Sequence, residues 1–180
     1  MLETKRLFLR KYQETDVNDY YEYMSQKEIG SVLGFPPYTN IESARERLIK
    51  EMQRDTFAIV YKDNNKVIGH VSLFDVKVER YKGINIGENA IEMGFLLSRD
   101  YWGKAIMPEA LTALIDYIFE KTSNIEVVLG HKITNKQSES VQNKLGFKVV
   151  AEIVDENNIP YIARKITKQE WFENKHKNKI

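Results

Sequence analysis

The chain has 180 residues, enough for one domain, and its 42% apolar content can build a real core. Lys plus Arg number 27 against 26 Asp plus Glu, and a net charge of +1 offers no electrostatic footprint for nucleic acid or an anionic membrane. With no cysteine, disulfides, zinc–thiolate sites and a cysteine nucleophile are excluded, and no histidine spacing suggests a metal site. Met1–Arg6 lacks the apolar stretch of a signal peptide, and no apolar run reaches the ~18 residues that span a bilayer, so the expected location is cytoplasmic.

Thr4–Lys11 alternates Leu7 and Leu9 with charged neighbours, a strand pattern. Asp16–Ser25 reads as a helix, Gly34–Pro37 as a break, and Thr39–Glu42 has the capping-box spacing that opens a helix running to Arg54. Phe57–Tyr61 and Val67–Phe74 read as strands joined by a hairpin turn at Asp63–Lys66. Val78–Asn89 is polar and contains Gly83 and Gly87, which predicts a mobile loop.

The strand Ala90–Leu97 then leads through a small-residue turn into a long helix. Met107, Ala110, Leu111, Leu114, Ile115, Ile118 and Phe119 fall on one face of that helix. Ile125–Leu129 is a β-branched strand, Asn135 or a neighbour caps a further helix, and Gly146 ends that helix in a left-handed cap. Lys148–Val154 and Ile159–Ile166 flank a hairpin signal at Asp155–Asn158. Thr167–Glu170 is a second capping box that starts a short helix, and Lys175–Lys179 read as a frayed, solvated end. The order of elements predicts a mixed α/β sandwich in one domain, residues 1–180, rather than a doubly wound fold.

Two segments carry chemistry. In Asp100–Ala110, Gly103 and Ala105 are small enough to let backbone approach a ligand, and Pro108 lacks an N–H where the first helical turn needs none. The free N–H groups from about Gly103 to Met107 would sit at the positive end of the helix dipole and wrap a pyrophosphate, with Lys104 adding charge. An ordinary strand-to-helix turn with Trp102 merely packing is the plain alternative. In the second segment, Asn135 and Ser138 place an amide and a hydroxyl at one helix start, followed by Gly146-Phe147.

Taken with Thr4–Arg10 and Val67–Leu73, these segments resemble the GNAT superfamily of N-acetyltransferases, in the branch typified by the RimJ/RimL ribosomal-protein acetyltransferases. The resemblance spans nearly the whole chain. It implies a mixed, mostly antiparallel, splayed central sheet flanked by helices on both faces. It further implies an acetyl-CoA site in which Phe95, Leu96 and Leu97 meet the pantetheine arm as an added strand. Trp102, Gly103, Lys104, Ala105, Ile106 and Met107 would hold the pyrophosphate, and Asn135 and Ser138 the pantetheine arm and thioester end. Asp100 stands where the superfamily usually has Gln or Arg, and Ala105 replaces a second glycine. Gln142 stands where much of the superfamily has the tyrosine that protonates the leaving thiolate.

Few amines are neutral at pH 7, so a base is useful, and Glu92 is the carboxylate on the strand beside the thioester. A strand carboxylate paired with a basic residue is the plain alternative. Ser138 is the candidate to stabilise or protonate the thiolate, or else simply a helix-start hydroxyl. Without a cysteine, transfer would be direct, in a ternary complex with the amine acceptor. His131, after a strand-end glycine, is a candidate to touch that acceptor.

The substrate rim implied by the resemblance lies at residues 30–39, with Phe35 and Tyr38, and at residues 78–89, flanked by Lys77 and including Arg80 and Lys82. Glu14, Asp16, Asp19 and Glu22 would attract an amine or form a solvated helix face. A protein N-terminus, a polyamine, an amino sugar or another small amine are all open as acceptor, and so is homodimerisation. A different class of function is a noncatalytic acyl-CoA sensor. A phosphate-binding NTPase is disfavoured by the missing G-x-x-x-x-G-K-[ST] motif.

Overall fold

The computed structural model describes residues 1–34, 36–81, 83–154 and 158–178. Its strands are β1 (Leu2–Glu3), β2 (Leu7–Arg10), β3 (Thr56–Tyr61), β4 (Lys66–Asp75), β5 (Ala90–Leu97), β6 (Glu126–Lys132), β7 (Lys148–Val154) and β8 (Pro160–Thr167). The helices are α1 (Val17–Met24), α2 (Lys27–Leu33), α3 (Ile41–Met52), α4 (Ile106–Lys121), α5 (Lys136–Lys144) and α6 (Lys168–Asn178). The chain forms two compact units, one of Met1–Leu73 with Phe95–Leu114 and one of Phe74–Gly94 with Ile115 onward.

In the first unit β1, β2, β3 and β4 form an antiparallel ladder. Leu7 and Leu9 are fully buried, as their alternation requires, and Asn65 takes φ 57° in the β3–β4 turn. The C-terminal half of β5 lies against β4: the Ser98 N–H donates to the Ile68 carbonyl at 2.7 Å. The approach is close enough that a Cβ on Gly69 would stand 2.3 Å from the Leu96 carbonyl oxygen. Tyr12, Tyr20, Tyr23, Met24, Leu48, Val60 and Leu96 share one core cluster. The cap of α3 is Asn40, whose side chain accepts from the Ser43 N–H, one residue later than the expected Thr39. Helix α2 was missed: its seven residues are too few for a period to show beside the Gly-Pro break.

In the second unit the N-terminal half of β5 pairs in parallel with β6, from Ala90 opposite Glu126 to Met93 opposite Leu129. β6 pairs antiparallel with β8, and β8 with β7. The mostly antiparallel α/β architecture is therefore as expected. Val78–Tyr81 forms a 3₁₀ turn where a loop was predicted, because Tyr81, 3% exposed, packs with Val128 and Ala163. The C-terminal end is also more ordered than expected: α6 continues to Asn178, with the Lys175 ammonium 2.7 Å from Asp116 and the Trp171 indole donating to the same carboxylate. The β7–β8 turn residues Asp155, Glu156 and Asn157, the rim residues Phe35 and Lys82, and Lys179 lie outside the described residues. Each of the seven apolar positions assigned to one face of α4 is buried.

Candidate active site

In the first unit the segment from β5 to α4 takes the conformation an anion cradle needs. Gly103 has φ 74° and Ala105 φ 55°, so two residues of the turn are left-handed. For alanine that conformation costs about 1–2 kcal/mol. The N–H groups of Gly103, Lys104 and Ala105 have no backbone acceptor among the described residues. Those of Ile106 and Met107 belong to the first turn of α4, where no residue four back is helical. A Cβ on Gly103 would meet nothing within 4 Å, so the surface over the turn is open. Ile106 and Met107 are 1% and 3% exposed, which leaves only their backbone to meet a ligand.

Side chains support this turn rather than form it. The Trp102 indole donates to the Leu97 carbonyl at 2.8 Å, and the Arg99 guanidinium lies 4.9 Å from the centre of its ring. Lys104 sits 5.3 Å from the Tyr101 ring. Asp100 has a structural partner in Gln26: the Gln26 amide donates to Asp100 and Ser98, and its oxygen accepts from the Arg99 N–H at 2.8 Å. Because the Leu96 carbonyl and the Ser98 N–H point toward β4, strand alternation turns the polar groups of Phe95 and Leu97 to the other edge. Leu96 therefore faces β4 with its main chain.

Also in the first unit, the Tyr23 and Tyr12 hydroxyls reach His70 Nδ1 at 2.9 and 3.1 Å and lie 2.8 Å from each other. Burial pushes the His70 imidazole down to about 4. The acidic residues of the α1 region are mostly committed. Asp16 takes a bidentate pair with Arg10, Asp19 accepts from the Val67 N–H, and Glu22 pairs with Lys66. Asp16 and Asp19 are thus taken up by the fold, while Glu14 and Glu22 are exposed, as a solvated helix face would be.

In the second unit Glu92 is held by Arg80, whose Nη1 donates at 2.8 Å. The candidate base is thus an ion-paired strand carboxylate in this structure. Asn135 caps α5 by accepting from the Ser138 N–H at 3.1 Å. Ser138, 8% exposed, accepts from the Gln142 amide at 2.9 Å, and Gln142 Oε1 faces His131 Nδ1 at 3.3 Å. The Gln142 amide oxygen is an acceptor, so His131 carries a proton on Nδ1 and the relay runs His131 to Gln142 to Ser138. With its acceptor side occupied, Ser138 keeps its own O–H to donate outward. Burial pushes the His131 imidazole below its ordinary range, opposed by the Gln142 hydrogen bond. His131 is 2% exposed and Gln142 fully buried, so neither side chain is open to an acceptor, and Ser138, 8% exposed, is the member of the relay nearest the surface.

The Gln26 contact joins elements 74 residues apart, and the Arg80–Glu92 and His131–Gln142 contacts join neighbouring elements whose packing no local pattern reveals; the Gln142–Ser138 pair alone has helical i,i+4 spacing that the sequence offers. Among the described residues no group of three His, Asp or Glu is placed to hold a metal ion, and no helix is long and apolar enough to cross a membrane.

Comparison with known proteins identifies the family. The Acetyltransferase (GNAT) domain family model matches residues 6–148, which include parts of both units. The uncharacterised N-acetyltransferase p20 of Bacillus licheniformis is 29% identical over 153 residues, covering 82% of each chain. Among solved structures, a GNAT-family acetyltransferase from Bacillus anthracis superposes with a TM-score of 0.79 at 21% identity, covering 94% of this chain and 99% of that one. A spermidine N-acetyltransferase from Vibrio cholerae in complex with CoA and spermine gives 0.72 at 17% identity, with 94% and 99% covered. At those identities the two structures speak for the fold, whereas the family model covers most of the chain. The protein therefore belongs to the GNAT family of N-acetyltransferases.

Proposed function

We propose that this protein transfers an acetyl group from acetyl-CoA directly to a primary amine, either a protein N-terminus or a small molecule. The observation that carries the reading is the open turn at Gly103–Met107, whose N–H groups stand at the start of a 16-residue helix. These residues fit a pyrophosphate: backbone donors, no side chain over Gly103, and Lys104 beside them. Trp102 would fix the turn from behind. The outward main-chain groups of Phe95 would hold the pantetheine arm as an added strand, together with the Asn135 amide, while the Leu97 carbonyl is already taken by Trp102 and Leu96 stays in the core.

The thioester supplies an activated acetyl group. Glu92 would take one proton from the incoming ammonium, exchanging its contact with Arg80 for one with that amine; the neutral amine then forms the C–N bond, and its second proton ends on the departing sulfur. As the C–S bond breaks, the Ser138 O–H would donate to the departing sulfur. The Leu97 N–H would polarise the carbonyl oxygen. We assign the chain to a RimJ/RimL-like branch, on the resemblance of Thr4–Arg10 and of Asn135–Phe147, and to the cytoplasm, on its cysteine-free composition. A noncatalytic acyl-CoA sensor is the second reading, and the observation favouring it is the Arg80 pair on Glu92.

The deciding experiment is calorimetric titration with acetyl-CoA and with ADP, followed by thiol release with a panel of polyamines, amino sugars and peptide N-termini. Acetyl-CoA binding with amine-dependent release supports the enzyme, and binding without release from any amine supports the sensor. No binding removes both. In the enzyme, Glu92→Gln should slow turnover more at pH 7 than at pH 9, while an equal loss at both would remove the base from that position.

A further inference from the structure

Arg6 lies 98 residues from the pyrophosphate turn in sequence and touches it directly. Its Nη1 donates to the Lys104 carbonyl at 3.0 Å and its Nη2 to the Ala105 carbonyl at 3.3 Å. The guanidinium is in turn aimed by Glu109, on the first turns of α4, whose Oε2 accepts from Arg6 Nε at 2.6 Å. Glu109 Oε1 accepts from the Arg6 main-chain N–H at 2.9 Å and from the Thr4 hydroxyl at 2.6 Å. Burial pushes the Glu109 carboxyl up, but the Thr4 and Arg6 hydrogen bonds outweigh it and hold the group below its usual range.

Peptide geometry gives these contacts a direction. In a planar trans peptide the C=O of one residue and the N–H of the next point opposite ways. Holding the Lys104 carbonyl toward Arg6 therefore turns the Ala105 N–H away from it, to the face where an anion would sit, and the Ala105 carbonyl, shared between Arg6 and the Glu109 N–H at 3.3 Å, turns the Ile106 N–H likewise. The same two carbonyls flank Ala105, whose left-handed backbone is the unfavourable element of the turn. Because Glu109 matches the charge of Arg6, the guanidinium serves here as a two-pronged donor more than as a free cation.

We propose that Arg6, set by Glu109 and Thr4, is a positioning residue that presents the Ala105 and Ile106 N–H groups to the pyrophosphate of the coenzyme. The inference rests on the coenzyme reading given above and adds a function to the residue just before β2.

The test is calorimetric affinity for coenzyme A and for pantetheine, which lacks the pyrophosphate, in the full chain and in Arg6→Met, Arg6→Lys and Glu109→Gln. Arg6→Met should weaken coenzyme A by about tenfold or more and leave pantetheine within about twofold. Arg6→Lys should recover only part, since one ammonium does not reproduce the fork between two carbonyls. An unchanged coenzyme affinity in Arg6→Met, or equal losses for both ligands, overturns the proposal; the latter marks a general structural role. If Arg6→Met does not fold, Glu109→Gln decides: a selective loss for coenzyme A supports the proposal, and equal or absent losses overturn it. A parent protein that does not favour coenzyme A over pantetheine would instead sink the coenzyme reading itself.

Discussion

On the proposed reading, the turn before α4 and the start of α5 would meet a ligand by opposite routes. The turn is built from main-chain N–H groups, so the departures at Asp100 and Ala105 leave those groups in place: Asp100 is absorbed by Gln26, and Ala105 adopts a left-handed backbone that glycine would take without strain. The start of α5 is built from side chains. There Gln142 joins His131 to Ser138 by hydrogen bonds, and on the proposed reading Ser138 would be the donor to the leaving group. A site made of backbone tolerates substitution; one made of side chains is reassigned by it.

The largest expected effect belongs to neither region but to the buried His70 of the first unit, and it sets the pH window in which the two can be compared. His70 is held near 4 in the fold and rises to about 6.5 when unfolded, so between those values the unfolded chain binds a proton that the folded one does not. Stability is therefore fully present above pH 6.5 and lost as pH falls toward 4, by about 3 kcal/mol in all. Urea denaturation at pH 7 and pH 5 should show this loss, and His70→Asn should remove most of it. An unchanged slope in the variant would place the acid sensitivity elsewhere.

Next in size, Ser138→Ala should lower thiol release about 100-fold with coenzyme affinity within about twofold, as expected of a proton donor to the leaving group. Gln142→Leu should cost about tenfold in the same assay, since it leaves Ser138 without its orienting donor. If both variants keep full turnover, the side-chain region is only a helix start and the contrast between the two regions fails.

The backbone region should respond less. Ala105→Gly relieves a left-handed alanine and should raise stability by up to about 1 kcal/mol, seen as a rise in Tm of a few degrees. A lower Tm would mean that the turn tolerates alanine without strain. Smallest of all, Lys104→Ala should change coenzyme affinity by less than about threefold, because the donors are main-chain. A larger loss would make the turn a side-chain site like the other.

What the sequence by itself determined is whatever has a local cause. The Leu7–Leu9 alternation, the α4 apolar face, the Asn135 cap, the Thr167–Glu170 box and the left-handed Gly146 all follow from neighbours within a few residues, and the structure repeats each. The small-residue turn at Gly103 was legible for the same reason. Tertiary structure decided which side chains complete these local features. Arg80 on Glu92, Arg6 behind Ala105, Gln26 under Asp100, and His131 behind Gln142 join positions 11 to 99 residues apart. Such pairings leave no period or cap in a single sequence, because a hydrogen bond depends on where two strands or helices bring their side chains, and chain order alone does not say.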